Sequence, residues 1–169
     1  AGRYEDYSDF GNKFSGKLSA RYAFTEAVAM RGTISSGFRA PALAQQHYQA
    51  VTTNINNGVA SEAGPFPPAA APAQALGADP LQAADSLSYS IGLVMQPAER
   101  IYLTIDAYQI NIDERIVLSS NIPLAGNAAA QTLLAGLGIT GVTSARYFNN
   151  AIDTRTSGVD VVGTWSIPM

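Results

Sequence analysis

The sequence predicts an all-β fold of antiparallel, up-and-down strands. Three observations carry it. Apolar and polar residues alternate with period two through most of the chain, tight turns join the alternating runs, and those turns take turns with long connections. Residues 13–24 (KFSGKLSARYAF) place Leu18, Ala20, Tyr22 and Phe24 on one face and Lys17, Ser19 and Arg21 on the other. Thr25-Glu26-Ala27 is a tight turn. Residues 28–38 then set Val28, Met30, Ile34 and Phe38 against Arg31, Thr33 and Ser35, which completes a hairpin.

Residues 87–96 repeat the pattern, with Leu87, Tyr89, Ile91, Leu93 and Met95 opposing Ser88, Ser90, Gly92 and Gln96. The turn expected there is PAER, residues 97–100, with proline at an early turn position. Residues 100–118 form a long strand in which Leu103, Ile105 and Ala107 oppose Thr104, Asp106 and Tyr108. After Tyr108 the phase breaks, because Ile110 and Ile112 fall on the polar register; a bulge, or a strand end rising out of an apolar layer, each account for it. Residues 145–167 form the last strand, Val159, Val161, Trp165 and Ile167 against Thr156, Gly158, Asp160, Thr164 and Ser166. At the start, RYEDYSDFG reads as the end of a strand turning at Asp9-Phe10-Gly11.

Two connections are long. Residues 39–86 open with Arg39 and Pro41 and contain GPFPPAAAPAQALGADP, a stretch not expected inside a sheet; Pro41 has no N–H for the ladder, so pairing ends there. Residues 119–144 contain NAAAQTLLAG, a short helix with Asn127 as N-cap and Gly136 as the residue just past its end. Leu133, Leu134 and Leu137 are expected to pack this connection down onto the rim of the strands.

Composition narrows the class. The 169 residues carry a net charge of −3 and show no Lys/Arg cluster, which argues against nucleic acid. There is no cysteine, hence no disulfide framework and no thiolate site. Charged residues make up 14%, where about 25% is usual for a soluble domain. No apolar run approaches the ~20 residues of a transmembrane helix.

Alternation alone fits either a soluble sheet with solvated polar faces or an outer-membrane barrel, whose apolar face meets lipid and whose polar face lines the lumen. The unequal connections favour the barrel, with short turns on the periplasmic side and long loops outside. Charges concentrate on the polar face at Lys17, Arg21, Arg31, Asp106 and Asp160, and aromatics gather beside the short turns at Tyr22, Phe24, Tyr102 and Trp165, where an interfacial girdle lies. A complete eight-stranded barrel fits the length but fails on the strand count, and a soluble β-sandwich binding module predicts connections of similar length at both ends, unlike those seen.

Four stretches carry a resemblance. GRYEDYSDFG (2–11), KLSARYAFTEAVAMRGTISSGFRAP ending in GFRAP (37–41), the hairpin of residues 86–116 with Asp106, Tyr108, Ile110, Ile112, Arg115 and Ile116, and FNNAIDTRTSGVDVV (148–162) with Asn150, Arg155, Gly158, Val159 and Asp160 stand in order. Together they resemble the barrel of TonB-dependent outer-membrane receptors, over nearly all the chain except the long connections. The resemblance implies a 22-stranded barrel with an N-terminal plug, in the outer membrane of a Gram-negative bacterium. It implies import of a scarce nutrient (ferric siderophore, cobalamin, haem or oligosaccharide), energised through TonB, which grips a box ahead of the plug. The chain reads as one partial transmembrane barrel domain, 1–169, an arc of some six or seven strands from the C-terminal half, with residues 39–86 and 119–144 as extracellular loops and the plug absent. An isolated open arc is expected to aggregate through its edges and its lipid face.

No catalytic constellation, cofactor motif or metal-ligand spacing is present, so the expectation is a binding and transport role and no enzyme. The ligand-contact candidates are Arg39, Gln45, Gln46, His47, Tyr48, Asn54 and Asn57, polar or aromatic residues of the first long loop. His47 is the single histidine, and a lone loop histidine is more often simply solvated. Arg39 suits either an anionic ligand or a strand-end carboxylate. Arg21, Arg31, Asp106 and Asp160 are expected to face the lumen and the plug.

Overall fold

A computed structural model describes residues 1–8, 11–56, 59–139 and 141–167. In chain order the elements are β1 (Gly2–Tyr7), β2 (Gly11–Ala23), β3 (Val28–Arg39), α1 (Leu43–His47), β4 (Thr52–Asn56), β5 (Val59–Pro65), α2 (Ala71–Gln74), β6 (Ala84–Ala98), β7 (Ile101–Leu118), β8 (Ile122–Pro123), α3 (Ala128–Gly136), β9 (Val142–Arg146) and β10 (Phe148–Trp165). They divide into two compact units. The first comprises Ala1–Arg39, Asp85–Asp113 and Asp153–Met169, the second Ala40–Ala84 and Glu114–Ile152. Of the expected first turn, Asp9 and Phe10 lie outside the described residues, while Gly11 takes φ +82°, a value that favours glycine.

The first unit is one six-stranded sheet in the order β1-β2-β3-β6-β7-β10. The pairs β1–β2, β2–β3 and β6–β7 are antiparallel, with Leu18 opposite Ile34 and Leu93 opposite Ile105. The Gln96 N–H donates to Ala27 O at 2.7 Å, while Gly37 lies beside Ser86, so β3 and β6 also run in opposite directions. Ser166 N–H donates to Arg100 O at 3.0 Å and Arg155 meets Asn111, which sets β7 against β10 in the same way.

The apolar face is exposed over much of its area: Leu18 is 71% exposed, Val161 63% and Trp165 70%, while Leu103, Ile105 and Ala107 are half-buried. Among the described residues, Ala29 is the one buried apolar residue of this unit. A sheet with a well-filled apolar face and no core against it is built for an apolar solvent. Tyr22 and Phe24, next to the first tight turn, meet edge to face at 5.0 Å between ring centres.

Two local expectations change. The register from Asp85–Asp113 to Met95–Leu103 contains no shift, so β7 keeps its alignment with β6 from Leu103 through Tyr108 to Asp113. Ile110 and Ile112 simply follow Asp106 and Tyr108, while Gln109, Asn111 and Asp113 continue the face of Leu103, Ile105 and Ala107; the apolar layer ends partway along β7. The turn expected at residues 97–100 is shorter, because β6 runs to Ala98 and β7 starts at Ile101. Pro97 falls where the ladder shifts between Met95 and Ala98, a place where its missing N–H costs no bond.

The second unit has its own sheet, in the order β4-β5-β9-β8. The pairs β4–β5 and β8–β9 are antiparallel, but β5 and β9 are parallel, from Glu62–Val142 to Pro65–Arg146. The long connections therefore carry strands of their own, one pair of them parallel, beside the antiparallel strands of the first unit. Gly64 and Pro65, from the stretch expected to stay out of sheets, end an interior strand. Proline is tolerated at that terminus because its carbonyl still accepts, from Ala50 N–H at 3.3 Å. The single last strand is divided into β9 and β10 at Tyr147, which turns into the core and donates from its hydroxyl to Leu76 O at 3.1 Å.

That core joins Phe66, Ala73 and Ala78 to Leu124, Ala130, Leu134, Ala145 and Tyr147. Of the three leucines expected to pack together, only Leu134 is buried, whereas Leu133 is 39% and Leu137 62% exposed. Asn127 caps α3 as expected, its Oδ1 accepting from Ala130 N–H at 3.0 Å, and its Nδ2 also donates to Ala75 O at 3.0 Å. Gly136 is the last helical residue; the left-handed conformation after the helix belongs to Gly138, at φ +73°. Asn127→Ala removes both bonds. It is expected to cost about 1 kcal/mol, seen as roughly fivefold faster amide exchange across α3.

Candidate functional site

On the polar face of the first unit, Arg31 of β3 reaches over β6 to Asp106 of β7. Its Nε donates to Oδ1 at 2.9 Å and Nη2 to Oδ2 at 2.5 Å, a bidentate fork that matches the carboxylate plane. Gly92 of β6 lies beneath. A Cβ there would overlap Asp106 Oδ1 and stand 3.3 Å from Arg31 Nε, so the pair can bridge three strands only over a glycine. Arg21 stands directly opposite Arg31 in the register, a like-charge neighbour that Asp106 offsets. Beside them Thr33 Oγ1 donates to Ser19 Oγ at 3.1 Å. The sequence reading points Arg31 and Asp106 toward the lumen and plug; on that face their charged groups pair with each other. Arg21 and Asp160 share this face, and both are exposed.

A second glycine works the same way. The Tyr108 ring covers Gly158 of β10, where an added Cβ would come within 2.7 Å of the hydroxyl oxygen and 2.8 Å of Cζ. Phe14 lies near Gly2 and Gly16 at ordinary contact distance. On the other face Arg155 Nε donates to Asn111 Oδ1 at 3.2 Å, and Lys13 Nζ of β2 pairs with Asp85 of β6 at 2.7 Å. Arg3 also pairs with Glu5. The motif residues Asp106, Tyr108, Arg155 and Gly158 thus do one kind of work, which is to tie strands together, Asp106 across an intervening strand and the others between neighbours.

The loop candidates lie in the second unit, apart from Arg39, the last residue of β3. Arg39 is exposed and takes part in none of the ion pairs found among the described residues. Gln45 and Gln46 spend side-chain atoms on their own helix: Gln45 Oε1 accepts from Ala42 N–H at 3.0 Å, and Gln46 Nε2 donates to Pro41 O at 3.3 Å. His47 and Tyr48 follow at the exposed end of α1, near the 73%-exposed Leu43. Asn54 belongs to β4, opposite Ser61 in the register. Asn57 lies outside the described residues. No group of three or more metal-ligating side chains occurs among the described residues.

Asn150 has a role that sequence reading caught only as a motif letter. Its Oδ1 accepts from Gln82 N–H at 2.9 Å, and its Nδ2 donates to Gln82 O at 3.0 Å and to Glu114 O at 2.7 Å. Glu114 holds φ +55°, a left-handed value for a residue that is not glycine. An amide that bonds both backbone groups of one residue and a carbonyl of another is a clamp, and asparagine alone offers donor and acceptor at that reach. A polar cavity of about 240 Å³ adjoins it, lined by Asp79, Gln82, Glu114, Asn149 and Asn150 among others.

A six-stranded antiparallel sheet, apolar and exposed on one face and charged on the other, defines an arc of a transmembrane β-barrel. The chain belongs to the TonB-dependent receptor family: the family model "TonB dependent receptor-like, beta-barrel" matches residues 1–169. Solved structures share the fold. The siderophore receptor PirA from Pseudomonas aeruginosa superposes with a TM-score of 0.65 at 18% identity, over 94% of this chain and 26% of that one. The ferric enterobactin receptor PfeA from the same organism gives 0.66 at 16%, over 98% and 21%. PirA from Acinetobacter baumannii gives 0.62 at 14%, over 95% and 22%. The chain therefore spans about a quarter or less of the receptors it matches. No curated protein sequence matches it.

Two substitutions test the glycine sites. Gly92→Ala is expected to part Arg31 from Asp106, read as a changed Arg31 Nε chemical shift in the membrane-embedded receptor; Gly136→Ala, which meets open space, should leave that signal alone. Gly158→Ala is expected to cost about 1–3 kcal/mol through overpacking against Tyr108, and clearly less in a Tyr108→Ala background. Additive losses in urea unfolding of the two single variants and the double variant would show that the ring and the glycine do not interact.

Proposed function

We propose that this chain is the barrel segment of a receptor that imports a scarce nutrient across the outer membrane of a Gram-negative bacterium, with a ferric siderophore as the cargo class. The observation that carries the reading is the sheet itself. Its apolar face, exposed at Leu18, Ile34, Ile91, Val159 and Val161, suits lipid, and its opposite face collects the charges. Family membership and the siderophore receptors among the related folds support the cargo class over cobalamin, haem or an oligosaccharide. In this reading the protein is a transporter and no enzyme, residues 39–86 and 119–144 stand outside the cell, and a plug elsewhere in the receptor receives energy from TonB.

The residues then take separate tasks. Arg39, His47 and Tyr48, with Asn54 and Asn57, are the ligand-contact set. Gln45 and Gln46 shape the turn that presents them. On the lumen face Arg21 and Asp160 meet the plug, while the Arg31–Asp106 pair stiffens the wall. The test is uptake of radiolabelled iron by cells whose only siderophore receptor is the full-length protein. Energy-dependent accumulation with one siderophore class, and severalfold loss in an Arg39→Ala, Tyr48→Ala double variant present at normal outer-membrane levels, is expected. Uptake of cobalamin or haem in place of iron chelates would reject the cargo class, and a protein found in the soluble fraction would reject the barrel.

A further inference from the structure

We infer that the two long connections form one cooperative body, so that a movement of either carries the other. The case rests on which residues meet within the second unit. Its core is shared across the two segments: Phe66, Ala73 and Ala78 come from the first, Leu124, Leu134, Ala145 and Tyr147 from the second. Among the described residues the first segment contributes one large buried side chain that is not proline, Phe66, and α3 buries only Ala130 and Leu134, so each draws on the other for its core.

The backbone is shared as well. The parallel β5–β9 ladder is nonlocal, and a parallel pair needs a crossover before it can form at all. The Phe66 N–H donates to Arg146 O at 2.9 Å, Tyr147 Oη to Leu76 O at 3.1 Å, and Asn127 Nδ2 to Ala75 O at 3.0 Å. Asn150 closes the unit by holding Gln82 and Glu114 together, two positions beside the ends of its two segments. Opening one segment alone would strand Leu134 or Phe66 without its partners and leave buried carbonyls and amides unbonded. The body therefore opens as a whole or stays closed. This holds whether or not the receptor carries a siderophore.

Hydrogen exchange followed by mass spectrometry on the full-length receptor in detergent tests it. Leu134→Ala lies in the second segment. It is expected to speed exchange about tenfold or more in residues 128–137 and, by a similar factor, in residues 61–66 and 73–78 of the first. The reciprocal Phe66→Ala is expected to deprotect residues 128–137 and 142–147. Exchange at residues 18–22 and 91–95 should not change, which shows that the barrel wall is folded. Tyr147→Phe, which removes a single hydroxyl, is the mild variant should the alanines disrupt assembly, and it too should deprotect both segments together. Deprotection confined to the mutated segment, with the barrel strands intact, would overturn the proposal.

Discussion

A backbone amide facing hydrocarbon has no water to bond, so a sheet that meets lipid must satisfy every such group sideways. That constraint sets the form of the six-stranded unit. Register has to hold over the length of the strands, because a slip by one residue would exchange the apolar and polar faces completely. The β6–β7 pair keeps one register over Asp85–Asp113 to Met95–Leu103, and the irregularity it tolerates lies beside the turn, at Pro97.

Register in a thin sheet cannot be defended by a core, since the unit has almost none. The polar face does that work. The Arg31–Asp106 fork spans three strands, and the Tyr108 ring locks over Gly158 between two. Each device needs one strand to supply a long side chain and another to supply none. Glycine is ordinarily a weak strand residue. Here Gly92 and Gly158 are the seats into which the neighbouring strand fits, so a loss of intrinsic propensity is exchanged for a fixed alignment.

This explains what the sequence disclosed and what it withheld. The wall strands were legible because their pattern is local: Leu18, Ala20 and Tyr22 announce a face without reference to anything distant. The motif residues Asp106, Gly158 and Asn150 were legible as letters in order, but their contacts were not, because Arg31 and Asp106 are far apart in the chain and Gly92 appears only as one more small residue on the polar face. The second unit was almost invisible. Its core is four alanines with four larger residues, and its central ladder is parallel and nonlocal. Tyr147 divides a strand by turning inward, and nothing in the alternation around it marks that break.

The two units therefore obey opposite rules. In the first, large apolar residues such as Leu18 and Val161 stay exposed and small or charged ones lie on the structured face; in the second, Phe66, Leu124, Leu134 and Tyr147 are buried against one another. In the proposed receptor one chain can follow both rules, because the solvent differs. Where lipid takes the apolar side chains, folding gains nothing from collapse and the charged face must hold the alignment. Where water surrounds the chain, a modest core suffices, provided that both segments contribute to it. A substitution such as Leu to Ala thus has no single meaning in this protein: at Leu18 it changes a surface, and at Leu134 it removes a wall of the core.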